Sequence, residues 1–173
     1  MIFEEEHHFY QIDCNKAVWA TDELNDLYKH NVACLLTDAD WIIETENDGV
    51  LIVEYKNGTV FPSKNPFNPN SEEKIRSVAH KYYDTLHYLT IKGKRMPARY
   101  YYILEYPNSD RVTSGLVRNK IAKLLPFQLQ NAIEGSQKII ESFDVVTIDE
   151  WNVRFPDFPI TRTRTQRPIK KVT

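Results

Sequence analysis

A short hairpin constrains this chain more than any other feature. Asp40-Trp41-Ile42-Ile43-Glu44-Thr45-Glu46 and Val50-Leu51-Ile52-Val53-Glu54-Tyr55-Lys56 flank Asn47-Asp48-Gly49. β-Branched and aromatic runs on either side of Asn, Asp and Gly form a strong hairpin signal. The four apolar residues Val50 to Val53 read as a strand covered on both faces. Such a strand belongs inside a layered sheet, and a tight hairpin makes that sheet mixed rather than purely parallel.

The rest of the chain supplies the layers. Thr21 to Lys29 reads as a helix with Thr21 as N-cap. Ser71 to Leu89 is the clearest helix, with Ile75, Val78, Ala79, Tyr82, Leu86 and Leu89 at helical spacing and Asn70 with Glu73 as a capping box. Tyr100 to Tyr106 alternates like a strand, Ser114 to Leu125 reads as a helix broken at Pro126, and Phe143 to Val153 reads as a last strand. The N-terminal region is expected to add a strand. The stretch 58–70 carries Pro62, Pro66 and Pro69 and reads as a long loop at the exit of the Lys56 strand. The expectation is an α/β domain over residues 1–160, a mixed central sheet flanked by helices, followed by a basic, flexible tail over 161–173.

Composition excludes several classes. At 173 residues with 42% hydrophobic residues the chain can bury a core, which a disordered chain cannot. Five Gly and nine Pro exclude collagen-like sequence. A formal charge of −2 argues against indiscriminate coating of nucleic acid. No apolar run approaches the roughly 20 residues that span a bilayer. The acidic start, Glu4-Glu5-Glu6, is unlike a secretory signal. A soluble, cytoplasmic protein is expected, without a membrane partner. Cys14 and Cys34 lack metal-type spacing and read as small buried hydrophobes.

Glu54 and Lys56 stand out by context. Glu-x-Lys alone arises about once by chance at this composition, and Glu72-Glu73-Lys74 supplies a second copy at a helix start. Glu54 and Lys56, by contrast, end a buried strand and share one face of it. Charges there cost free energy unless paired or liganded. Register decides whether Asp40 joins them. A two-residue turn, Asp48-Gly49, puts Asp40 across from Asn57 and on the other face from Glu54. A three-residue turn, Asn47-Asp48-Gly49 with Gly49 left-handed, puts Asp40 across from Lys56, diagonal to Glu54 and on its face. Asn-Asp-Gly suits the second. Two carboxylates beside an ammonium then suit Mg²⁺ or Mn²⁺ and the hydrolysis of a phosphodiester.

Asp40-Trp-Ile-Ile-Glu, the Asn-Asp-Gly turn and Leu-Ile-Val-Glu54-Tyr-Lys56 resemble the core of the PD-(D/E)xK nuclease superfamily, although Ala39 stands where the name puts Pro. The resemblance implies a restriction-endonuclease-like αβββαβ core. It implies Asp40 and Glu54 as metal ligands, the carbonyl of Tyr55 as a further ligand, and Lys56 as catalytic lysine. Glu23 on the preceding helix is a candidate to join them. Nucleic acid, DNA first, would be the substrate, and cutting both strands of a duplex would call for a homodimer. The competing expectation is an inactive nuclease-fold module that binds nucleic acid or protein. A third is a plain salt bridge at a hairpin end.

Other groups read more blandly. His80 and Lys81 suit a solvated helix face, and His7-His8 an ordinary surface pair. Most of the ten Tyr suit the core. Arg162, Arg164, Arg167, Lys170 and Lys171 could follow a phosphate backbone or merely keep the tail soluble.

Overall fold

The computed structural model describes residues 1–31, 35–59, 67–94, 96–106 and 110–163. The elements run β1 (Ile2–Glu4), β2 (Tyr10–Asp13), β3 (Trp19–Thr21), α1 (Leu24–Asn31), β4 (Trp41–Thr45), β5 (Gly49–Asn57), α2 (Glu72–Ile91), β6 (Ala98–Glu105), α3 (Arg111–Ala122), α4 (Phe127–Ala132), β7 (Ile140–Val146), α5 (Ile148–Arg154) and β8 (Ile160–Arg162). The chain is mixed α/β. A five-stranded sheet of order β3-β4-β5-β6-β7 is antiparallel on its β3–β4–β5 side and parallel across β5–β6–β7. A small antiparallel sheet, β1-β2-β8, lies beside it. The outer strand β3 precedes α1, where a helix-first αβββαβ order has all three strands follow the helix.

The period of two along β5 sorts the core into two layers. Val50 and Ile52 face Leu24 and Tyr28 of α1, Ile75, Val78 and Tyr82 of α2, and Val117 and Ile121 of α3. Leu51, Val53 and Tyr55 face Trp151 of α5 and Phe155 at its C-cap, Ile12 of β2 and Ile160 of β8. Each fully buried Ile or Leu contributes about 1.5–3 kcal/mol of transfer free energy, so both faces of β5 are committed to packing. Glu54 follows Ile52 on the α2-facing side and is only 5% exposed.

Several expected boundaries move. Thr21 ends β3, and its hydroxyl accepts the Glu23 N–H at 3.2 Å. Ser71, not Asn70, is the N-cap of α2, and the cap has no side-chain hydrogen bond. The expected last strand over Phe143–Val153 divides: β7 ends at Val146, and α5 starts behind a complete capping box of Thr147 and Glu150. Asp110 caps α3 by accepting the Thr113 N–H at 2.7 Å. Thr161 and Arg162 lie in β8, where Arg162 donates to the Tyr10 hydroxyl. Residues 164–173, with Arg164, Arg167, Lys170 and Lys171, lie outside the described residues, as do Cys34 and 60–66 of the proline-rich loop. Among the described residues no helix is long and apolar enough to cross a membrane.

Most of the tyrosines are core residues, and Tyr83 is exposed. Tyr82, Tyr100, Tyr101 and Tyr102 are at most 5% exposed. The hydroxyls of Tyr82 and Tyr100 donate to the carbonyls of Ile139 and Val78. Cys14 is buried, and desolvation pushes its thiol up to about 12, away from reactivity.

Candidate functional site

The hairpin register sets the site. Trp41 pairs with Val53 and Thr45 with Gly49, so the chain reverses over Glu46-Asn47-Asp48. Gly49 is left-handed at φ +73°, as the Asn-Asp-Gly reading expects. The pairing is displaced by two residues from the expected one. Continued one step past Trp41, it sets Asp40 opposite Glu54 rather than opposite Lys56. A shift of two preserves the face, so the two carboxylates still converge. The displacement has a local cause. The Thr45 hydroxyl accepts the Asp48 N–H and donates to the Gly49 carbonyl, which closes the turn one step earlier on the β4 side.

Asp40 is half-buried at the entry to β4, and its Oδ2 accepts the Tyr55 N–H at 2.7 Å. A strand residue points its N–H and C=O to the same side, so the Tyr55 carbonyl also faces the Asp40 side of β5. Glu54 holds Lys81 of α2, whose Nζ lies 2.8 Å from both carboxylate oxygens. Lys81 is therefore no solvated helix residue. Its side chain is 24% exposed and that of Glu54 7%, while His80 beside it is exposed. Lys56 is half-buried and lines a cavity of about 30 Å³ with Asp40, Tyr55, Asn57 and Glu5, Glu6, His7 and Phe9 of the β1–β2 connection. That volume is the order of one water. A groove of about 600 Å³ lies at the other end of the hairpin, against Asp48, Gly49 and Pro97.

A third acid lies close by. Asp38, 8% exposed, is favoured as a carboxylate by the nearby backbone N–H of Asn25 at the start of α1 and feels the charges of Lys81 and Asp40. Glu23, the expected contribution from that helix, is exposed, and its charge acts on Asp22 and Tyr88. The helix reaches the cluster through its backbone instead.

Desolvation and mutual repulsion govern the charges. Burial, then the Asp40 charge, raises Glu54 to about 8 against the pull of Lys81. Burial, with repulsion from Asp40, raises Asp38 to about 6. Asp40 is raised by burial, while Lys81, the Tyr55 N–H and Lys56 oppose the rise. Desolvation pulls Lys81 down, but Glu54, Asp40 and Asp38 outweigh it, and the ammonium is stabilised.

These shifts have a sign in stability. Acids raised in the folded state bind more protons there than when unfolded, so the metal-free fold loses stability as pH rises. The loss runs from the unfolded values near 4 through about 6 for Asp38 and about 8 for Glu54. Lys81 keeps its proton across this window. The melting temperature is expected to fall between pH 5 and 8, and Asp38→Asn to flatten the lower part of the decline. A melting temperature that rises across this window would refute the assignment.

The donor set fits a hard divalent cation in outline. Paired carboxylates that repel each other, next to a backbone carbonyl, suit Mg²⁺ or Mn²⁺. Among the described residues no group of three or more His, Cys, Asp and Glu forms a ready-made cage. Comparison of the chain with protein-family models, curated proteins and solved structures finds no match.

Proposed function

We propose that this chain is a metal-dependent nuclease of the PD-(D/E)xK type that hydrolyses phosphodiester bonds in nucleic acid, with DNA as the first substrate to test. One observation carries the reading. In a sheet otherwise packed with apolar groups, Asp40 and Glu54 meet at the C-terminal end of β5, with Lys81 and Lys56 beside them. Buried acids raised this far cost stability, and a functional site is a physical reason to keep them.

Each residue has a role in this reading. Asp40 and Glu54 would hold Mg²⁺ or Mn²⁺, with the Tyr55 carbonyl alongside. The Tyr55 N–H fixes the Asp40 carboxylate so that it does not reorient during a turnover. Lys56, on the cavity wall, would place its ammonium where charge grows on the phosphoryl oxygens. The bound ion would supply an acidified water and neutralise that charge. Asp38 tunes the cluster without facing substrate.

The second reading, an inactive nuclease-fold module, draws on a different observation. Lys81 occupies both oxygens of Glu54, as in a structural ion pair. Cleavage decides between the two. The wild type is expected to nick supercoiled plasmid in Mn²⁺ or Mg²⁺ and to stop in EDTA. Retained DNA binding without nicking would favour the inactive module instead.

A further inference from the structure

We infer that Lys81 is the resident cation of the carboxylate cluster and that it moves from Glu54 to Asp38 when a divalent ion enters. This inference rests on the metal-site reading above. Lys81 Nζ spans both Glu54 oxygens at 2.8 Å each. An ion that takes Glu54 as ligand competes with Lys81, which already bonds both oxygens, and repels its ammonium at short range. A displaced buried ammonium must find another acceptor, since an uncompensated charge at this depth is strongly unfavourable. Asp38 is that acceptor. It is buried, belongs to the same cluster as Lys81, and projects from the short loop that leads into Asp40. The four-carbon stem of lysine and its three rotatable donors suit an ammonium that changes partners. The cluster thus has two states, one closed by Lys81 on Glu54 and one loaded with metal, with Lys81 on Asp38. Asp38 explains how α1 bears on the site without giving it a side-chain ligand.

Calorimetric Mn²⁺ titration and thermal melting of the wild type, Lys81→Gln, Asp38→Asn and the double variant test the exchange. Removing the competitor should tighten Mn²⁺ binding of Lys81→Gln by about tenfold or more, and Mn²⁺ should raise its melting temperature more than that of the wild type. Asp38→Asn should weaken binding by about tenfold, because Lys81 then has nowhere to go. The double variant should come close to the affinity of Lys81→Gln, because with Lys81 gone Asp38 has no ammonium to receive. A Lys81→Gln protein that folds only when Mn²⁺ is added also supports the exchange. Wild-type binding that Lys81→Gln leaves unchanged or weaker overturns the exchange and leaves the nuclease reading standing. So does a double variant weaker than Lys81→Gln by the full Asp38→Asn effect. Absence of Mn²⁺ binding in all four proteins overturns both.

Discussion

Asp40→Asn is expected to cut plasmid nicking by about a thousandfold or more while the fold persists and grows more stable. The two effects have one cause. Asparagine keeps the size of the side chain and an oxygen to accept the Tyr55 N–H, so the link between the entry of β4 and β5 survives. What disappears is a negative charge that raises both Glu54 and Asp38. Its loss relieves repulsion in the metal-free protein and removes a charge that would attract the metal. Higher melting temperature with lost activity is the signature of a functional site that trades stability for chemistry. A purely structural hairpin-end acid predicts the reverse, a lower melting temperature.

Lys56→Met should lower cleavage by about a hundredfold and leave Mn²⁺ affinity nearly unchanged. Lys56 is half-buried on the cavity wall, and methionine preserves much of its apolar stem. Lys56 pulls Asp40 down less than Lys81 and the Tyr55 N–H do, so its removal is expected to disturb the carboxylates less than loss of either. Its contribution is therefore expected in turnover rather than in metal binding. Single-turnover cleavage at saturating Mn²⁺ measures it. An unchanged rate would transfer the role to Lys81, and a collapse of metal binding would make Lys56 part of the carboxylate balance instead.

The part of the site that follows from local geometry is legible in the sequence. Asp40 and Glu54 share a face because side chains on a strand alternate with period two, and pairings displaced by two residues give the same answer. The register itself is not legible, because a left-handed Gly49 serves more than one loop length and the Thr45 hydroxyl bonds decide among them. Lys81 is a different kind of miss. Its partner lies 27 residues away, and no periodicity encodes an ion pair across elements. A partial signal exists: Lys81 follows Val78 by three and precedes Thr85 by four, on the border of the buried stripe of α2. Asp38 carries a similar signal, since Asp38 and Asp40 stand two apart just before β4, and a strand pattern read back through them would turn both acids the same way. The division of the expected last strand into β7 and α5 was readable in Thr147-Ile148-Asp149-Glu150, a capping-box pattern set between apolar residues. The apolar and aromatic run around it favours a strand, and the cap overrides that preference.

The central claim is that Asp40 and Glu54 form a metal site. Calorimetric titration of the wild type and Asp40→Asn with Mn²⁺ at pH 8, where Glu54 is released from its proton more fully than at neutral pH, tests it most directly. Saturable binding of Mn²⁺ by the wild type, lost in a folded Asp40→Asn protein, is the predicted result. Binding of equal strength in both proteins, or in neither, would contradict it.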